Sequence, residues 1–190
     1  MPATTRPATT RPARGLAALT AGLALTAGLT LTACGTTTTA APDATAPPCR
    51  TATLTWTLSL LDGGRRGDAR SGARLTAVNK GSGACVFAGY PRLELHNGKA
   101  DGIEGAGSGR PAPVALPGHA AVTVDLRYTR RGTPGADTWC VRQHEAAVTA
   151  PHDTRGTVVP VTDAHGRAAV LDACGETIAM TAPRRTGAGS

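Results

Sequence analysis

Aromatic side chains are scarce: Trp56, Phe87, Tyr90, Tyr128 and Trp139 are the whole supply in 190 residues. A sugar-binding platform or a groove for single-stranded nucleic acid needs several exposed rings. One domain core would claim most of these five, so both classes are disfavoured. Helical periodicity is missing too from Cys49 onward, where no segment shows a convincing three- and four-residue spacing of apolar residues, and this argues against a helical domain. Gly-x-Ser-x-Gly does not occur, because the glycine positions around Ser108 hold Ala106 and Arg110, and a serine-hydrolase elbow is thereby excluded. The glycine-rich stretches lack Gly-Lys-Ser/Thr and precede no helix, which removes a phosphate-binding P-loop. There is no Cys-x-x-Cys pair, the usual nucleus of a zinc site.

Acidic residues are absent before Asp43, whereas Arg6, Arg11 and Arg14 are all present. Behind these arginines, Gly15 to Leu31 is an uncharged run of Ala, Leu, Gly and Thr. It is too short and too rich in small residues for a lasting membrane span and reads as the apolar region of a signal peptide. Leu31-Thr32-Ala33-Cys34 closes the run. Leucine, a small polar residue, alanine and cysteine resemble the bacterial lipobox at every position. The resemblance implies cleavage before Cys34, a diacylglycerol on its sulfur and acylation of the new amine. Two or more acyl chains suffice for stable anchoring, each buried methylene contributing about 0.8 kcal/mol. The expected location is therefore the outer face of the cytoplasmic membrane, with the membrane as partner through the lipid on Cys34.

The whole chain carries a formal charge of +7, but three arginines leave with residues 1–33, and the mature form is only mildly basic. Its cations are scattered rather than striped, so a nucleic-acid partner is not indicated. Residues 34–48, rich in Thr, Ala and Pro, contain no large apolar side chain and read as a flexible tether. The Ala, Gly, Thr, Arg and Pro usage suggests a GC-rich actinobacterial source.

From Cys49 onward the pattern is that of strands. Leu54, Trp56, Leu58 and Leu60 alternate with Thr53, Thr55, Thr57 and Ser59, the period of a half-buried strand. Asp62–Asp68 supplies a turn, and Arg74–Asn79 resumes the alternation. Leu93 and Leu95 follow Tyr90-Pro91, and Ala120, Val122, Val124, Leu126 and Tyr128 mark the cleanest later strand. Weaker strands are expected at 139–149, 157–161, 168–171 and 176–180. Asn97–Pro113, with five glycines and two prolines, reads as a mobile loop, and 184–190 as a disordered tail. Turn signals every 8 to 12 residues or so predict an antiparallel sandwich or barrel for residues 49–183.

With Cys34 set aside, Cys49, Cys85, Cys140 and Cys174 remain. An even number outside the cytosol reads as a disulfide framework with three possible connectivities. Pairing Cys49 with Cys85 and Cys140 with Cys174 is favoured, because each bond then clips the start of a strand to a later turn within its own half.

Cys49 before an alternating strand, Cys85-Val-Phe-Ala-Gly-Tyr-Pro91, Leu116-Pro117-Gly118, Trp139-Cys140, Pro151 and Ala173-Cys174-Gly175 occur in this order. In them the chain resembles an actinobacterial family of secreted proteins and lipoproteins known only as domain of unknown function 4232, over about residues 49–183. The resemblance implies an antiparallel immunoglobulin-like β-sandwich of about seven to nine strands and carries no activity or site residues.

Chemistry-bearing residues are sparse. His144-Glu145 and His152-Asp153 have the types for proton transfer or metal binding, and Asp101 with Glu104 offers two carboxylates to calcium, too few oxygens for a good site. Arg66-Gly67-Asp68 spells an adhesion tripeptide in what reads as an ordinary turn. The expectation is a lipid-anchored binding or interaction module at the cell envelope rather than an enzyme, with no cofactor. Its partner would be an envelope protein or wall component, met through a sheet edge or the 97–113 loop. The alternative is a metal- or small-ligand-binding lipoprotein using His144, His152 and His165; a cell-wall hydrolase is the least favoured reading.

Overall fold

The computed structural model describes residues 46–61, 70–98 and 100–186. The signal peptide, Cys34, most of the tether and the Asp62–Asp68 turn with its Arg66-Gly67-Asp68 lie outside the described residues. A 3-10 turn at Thr51–Thr53 leads into β1 (Leu54–Leu60). There follow β2 (Arg70–Asn79), β3 (Cys85–Phe87), β4 (Arg92–Asn97), β5 (Ala100–Gly107), β6 (Val114–Leu116) and β7 (Ala121–Arg130). The last five are β8 (Cys140–Gln143), β9 (Glu145–Thr149), β10 (Thr157–Thr162), β11 (Leu171–Met180) and β12 (Arg184–Thr186). No α-helix occurs among the described residues.

The domain is all-β, but it is not an immunoglobulin-like sandwich. Hydrogen bonding runs β7-β2-β1-β10-β9-β4-β5-β11 and returns to β7, so eight strands close into a barrel, with β12 added outside β7 and β8 outside β11. Two pairings in the ring, β1–β10 and β5–β11, are parallel, where a wholly antiparallel sheet was expected. The strand that closes the ring is β11. Thr177–Met180 pairs with Glu104–Gly107 on one edge, while Ala179 and Met180 pair with Arg127 and Leu126 on the other. Between Cys174 and Ala179 the register against β7 shifts, and beyond the shift Leu171–Cys174 pairs with β8. Gly175, with φ at 100°, supplies a backbone conformation that a side chain would resist, and such a bulge bends and twists a strand. One bent strand thus replaces the two short ones that the sequence pattern suggested.

The barrel interior follows from the alternation. Leu58, Leu75, Leu93, Leu95, Ile103, Val124, Leu126, Val148, Val161, Leu171 and Ile178 are all essentially inaccessible to solvent. An eight-stranded barrel is just wide enough for such side chains to fill, and each contributes about 1.5–3 kcal/mol on burial. A second apolar cluster lies under the β3–β6 ribbon and contains Cys49, Leu54, Ala77, Cys85, Phe87, Leu116, Val122 and Ala150. The structure joins Cys49 to Cys85 and Cys140 to Cys174.

Two further expectations are corrected. The stretch read as a mobile loop contains β5, paired to β4 and β11. Its glycines are sites of close approach: a methyl group on Gly102 would stand 2.5 Å from the Leu95 carbonyl oxygen, and one on Gly107 would overlap the Tyr90 ring. Among the described residues of that stretch, Gly98 is a turn and 108–113 are irregular. The tail read as disordered from residue 184 instead begins with β12, which pairs with Ala121–Thr123 of β7. An ion pair fixes it. Asp125 accepts from Arg74 Nε at 2.7 Å on one oxygen and from Arg184 Nη2 at 2.6 Å on the other, and its carboxyl is held below the usual range chiefly by the Arg74 hydrogen bond.

Candidate functional site

Two clefts flank the turn that follows β9. In this turn the Asp153 N–H donates to the Ala150 carbonyl at 3.1 Å, and His152 takes up the left-handed conformation with φ at 61°. The first cleft encloses about 620 Å³ and is lined by Ala88–Tyr90, Gly109–Pro111, Pro113, Pro151 and His152. Pro151 in its lining is buried, as is Pro91 next to Tyr90, and both restrict the backbone there. The Tyr90 hydroxyl donates to the Ser108 carbonyl at 2.8 Å, which ties the ring to the end of β5. Gly89, with φ at 116°, lies where a methyl group would stand 3.6 Å from Pro151. The cleft therefore presents one aromatic ring, several prolines, the Arg110 guanidinium and the His152 imidazole. No carboxylate, thiol or aliphatic hydroxyl lines it.

The second cleft, of about 390 Å³, lies between β1 and β10. These parallel strands pair only at Leu58–Val161 and Ser59–Thr162. Ahead of that point Leu54 and Trp56 form one wall and Thr157–Pro160 the other. Pro160 has no N–H to give a ladder. Arg50, Lys80 and Arg155 line the same cleft and all three are exposed. Trp56 donates its indole N–H to the Thr51 carbonyl at 3.3 Å.

Asp153 is the carboxylate of this cleft, and its oxygens are already engaged. The N–H of Thr51 reaches Oδ2 at 2.8 Å, that of Thr154 reaches Oδ1 at 2.8 Å, and that of Arg155 lies 3.4 Å from Oδ1. Arg50 stands 3.8 Å away. Donation from the Thr51 backbone, with smaller contributions from its neighbours, holds the Asp153 carboxyl down at about 2. The Thr51 hydroxyl in turn accepts from the Ala150 N–H at 2.9 Å. Asp153 is thus the clasp that binds the incoming chain to the β9–β10 turn.

His144 sits between β8 and β9 and its carbonyl accepts from Val161; His165 lies in a turn organised by Asp163. The structure does not bring them together with His152, and among the described residues no group of three or more His, Cys, Asp and Glu is placed to hold a metal. Asp101 and Glu104 fall on strand β5 rather than in a loop. Sequence reasoning passed over Asn79. It is buried, its amide donates to the carbonyls of Gly83 at 2.8 Å and Leu116 at 3.1 Å, and its oxygen accepts from Gly81 at 3.0 Å. The available signal was an Asn at a strand end, ahead of Gly81-Ser82-Gly83. Arg50, Lys80 and Arg155 gave no signal, being far apart in the chain.

Fold and clefts together define a disulfide-bonded all-β barrel domain with two clefts beside the turn that follows β9. The chain belongs to the family described as Domain of unknown function (DUF4232), whose model matches residues 49–182. No curated protein and no solved structure matches it.

Proposed function

We propose that this protein is a lipoprotein of the cell envelope, anchored through acylated Cys34 on the outer face of the cytoplasmic membrane, and that its barrel binds an envelope component rather than transforming one. The observation that carries the binding reading is the Tyr90 cleft: a rigid, glycine- and proline-built recess with an aromatic wall and neither carboxylate nor thiol. Such surfaces suit an extended or proline-rich segment, docked by stacking and apolar contact with Arg110 at the rim. Two disulfides are consistent with an oxidising compartment. The lipobox-like Leu31-Thr32-Ala33-Cys34 supports the anchor.

Fractionation tests the anchor. Parent protein stays with membranes through a high-salt wash and Cys34→Ser is released by it; equal retention of both contradicts acylation at this cysteine. Photo-crosslinking tests the cleft. A photoreactive side chain at position 110 captures a reproducible envelope species that the same group at the exposed position 142 does not. Identical capture at both positions contradicts binding at the cleft.

A further inference from the structure

The cleft between β1 and β10 has no part in the reading above. Three cations, Arg50, Lys80 and Arg155, line it, and its carboxylate, Asp153, is occupied by three backbone N–H groups. Asp153 keeps its negative charge and stands 3.8 Å from Arg50, so three cations against one carboxylate leave the cleft with a net positive charge. Beside the cations the rim is apolar: Val158 is 58 % exposed, the most exposed large apolar side chain among the described residues, and Ala52 and Pro160 are exposed with it. We propose that this face rests on acidic phospholipid headgroups of the membrane, the guanidinium and ammonium groups taking the phosphates while Val158 and its neighbours dip into the headgroup layer.

Three considerations select a membrane over a free anion. Guanidinium groups match phosphate oxygens in a planar fork, but an exposed valine on the rim gains nothing from a small soluble ion and does gain from an interface. The cleft is also where the chain enters the barrel, since Arg50 follows Cys49 directly. Fourteen residues, 35–48, separate Cys34 from Cys49. However arranged, they span no more than about 50 Å. On the reading that Cys34 is acylated, on which this proposal rests, the cleft is held at millimolar local concentration over the lipid, so a weak contact suffices to orient the barrel.

The test uses the mature-length chain, residues 34–190, carrying Cys34→Ser, which has neither leader nor acyl anchor, in sedimentation with vesicles of phosphatidylcholine alone or with about 30 mol % phosphatidylglycerol. Binding to the anionic vesicles only is expected, fading as salt rises from about 0.05 to about 0.5 M. Adding Arg50→Gln, Lys80→Gln and Arg155→Gln is expected to lower partitioning about a hundredfold. The control triple Arg127→Gln, Arg142→Gln and Arg185→Gln, exposed residues outside the cleft, leaves most of the binding. Val158→Glu is a second, independent variant and also weakens it; all variants are first shown to melt like the parent. Equal binding to neutral vesicles, or equal loss in both triples, overturns the proposal. So does binding of inorganic phosphate, read by titration calorimetry, without vesicle binding, which would make the cleft a soluble-anion site. Failure of the anchor reads out separately, as release of the parent from native membranes by a salt wash.

Discussion

Gly102→Ala is the substitution on which the strand and loop readings of residues 97–113 disagree in sign. In an unpaired loop the added methyl group restricts the unfolded chain and stabilises by about 0.4–1 kcal/mol. In the barrel it meets the Leu95 carbonyl oxygen at 2.5 Å and the Glu94 side chain at 3.2 Å. The oxygen belongs to the backbone of the strand paired with β5 through Leu95–Ile103, so it cannot swing aside as a side chain would. Overpacking of this kind costs about 1–3 kcal/mol. For a domain of this size that lowers Tm by about 3–4 °C per kcal/mol. Gly83→Ala is the matched control, because no heavy atom lies within 4 Å of its added methyl group and its φ is ordinary; it is expected to be neutral or mildly stabilising. Urea unfolding with unchanged slope, together with thermal melts, measures both variants. If Gly102→Ala proved as stable as Gly83→Ala, close approach would not be why glycine stands in β5, and the β4–β5 register would have to be redrawn.

Three other outcomes are expected. Replacing Cys140 and Cys174 together by alanine opens a closure of 34 residues and costs about 4 kcal/mol by loop entropy, read as a fall in the urea midpoint; an unchanged midpoint would show that the bond contributes nothing. Asp153, with its folded pKa lowered to about 2, adds stability that is complete above the ordinary carboxylate range near pH 4 and disappears as pH falls through about 2. Asp153→Asn should therefore be less stable than the parent at pH 6, with the gap narrowing between about pH 4 and 2, and a constant gap across that window would refute the clasp. Arg184→Gln breaks one of the two arginine contacts to Asp125. Because the pair is half-exposed, it should cost no more than about 1 kcal/mol, while hydrogen exchange at Arg184–Thr186 quickens; unaltered exchange would mean that β12 is held by its ladder alone.

The chain's local patterns determined a good deal. Alternation at Leu54–Leu60 and Val122–Tyr128 placed β1 and β7, because a side-chain period of two is written into consecutive residues. Absence of a helical period settled the all-β class. The number of cysteines left three connectivities open; the favoured one, a bond within each half, is the one the structure shows. Closure was not legible. Whether two layers of strands remain a sandwich or join into a ring rests on β7 meeting β11, residues some fifty positions apart, one of them broken by Gly175. No local signal records such a pairing. Glycine misled for a related reason: in β5 it stands for the closeness of Leu95, Met180 and Tyr90, and in a loop the same residue stands for freedom, so its neighbours in space decide which. The clefts belong wholly to the tertiary structure. Arg50, Lys80 and Arg155 become one charged surface only because β1 and β10 run parallel and part ahead of Leu58 and Val161, and charges scattered along a chain acquire a common field only when folding sets them side by side.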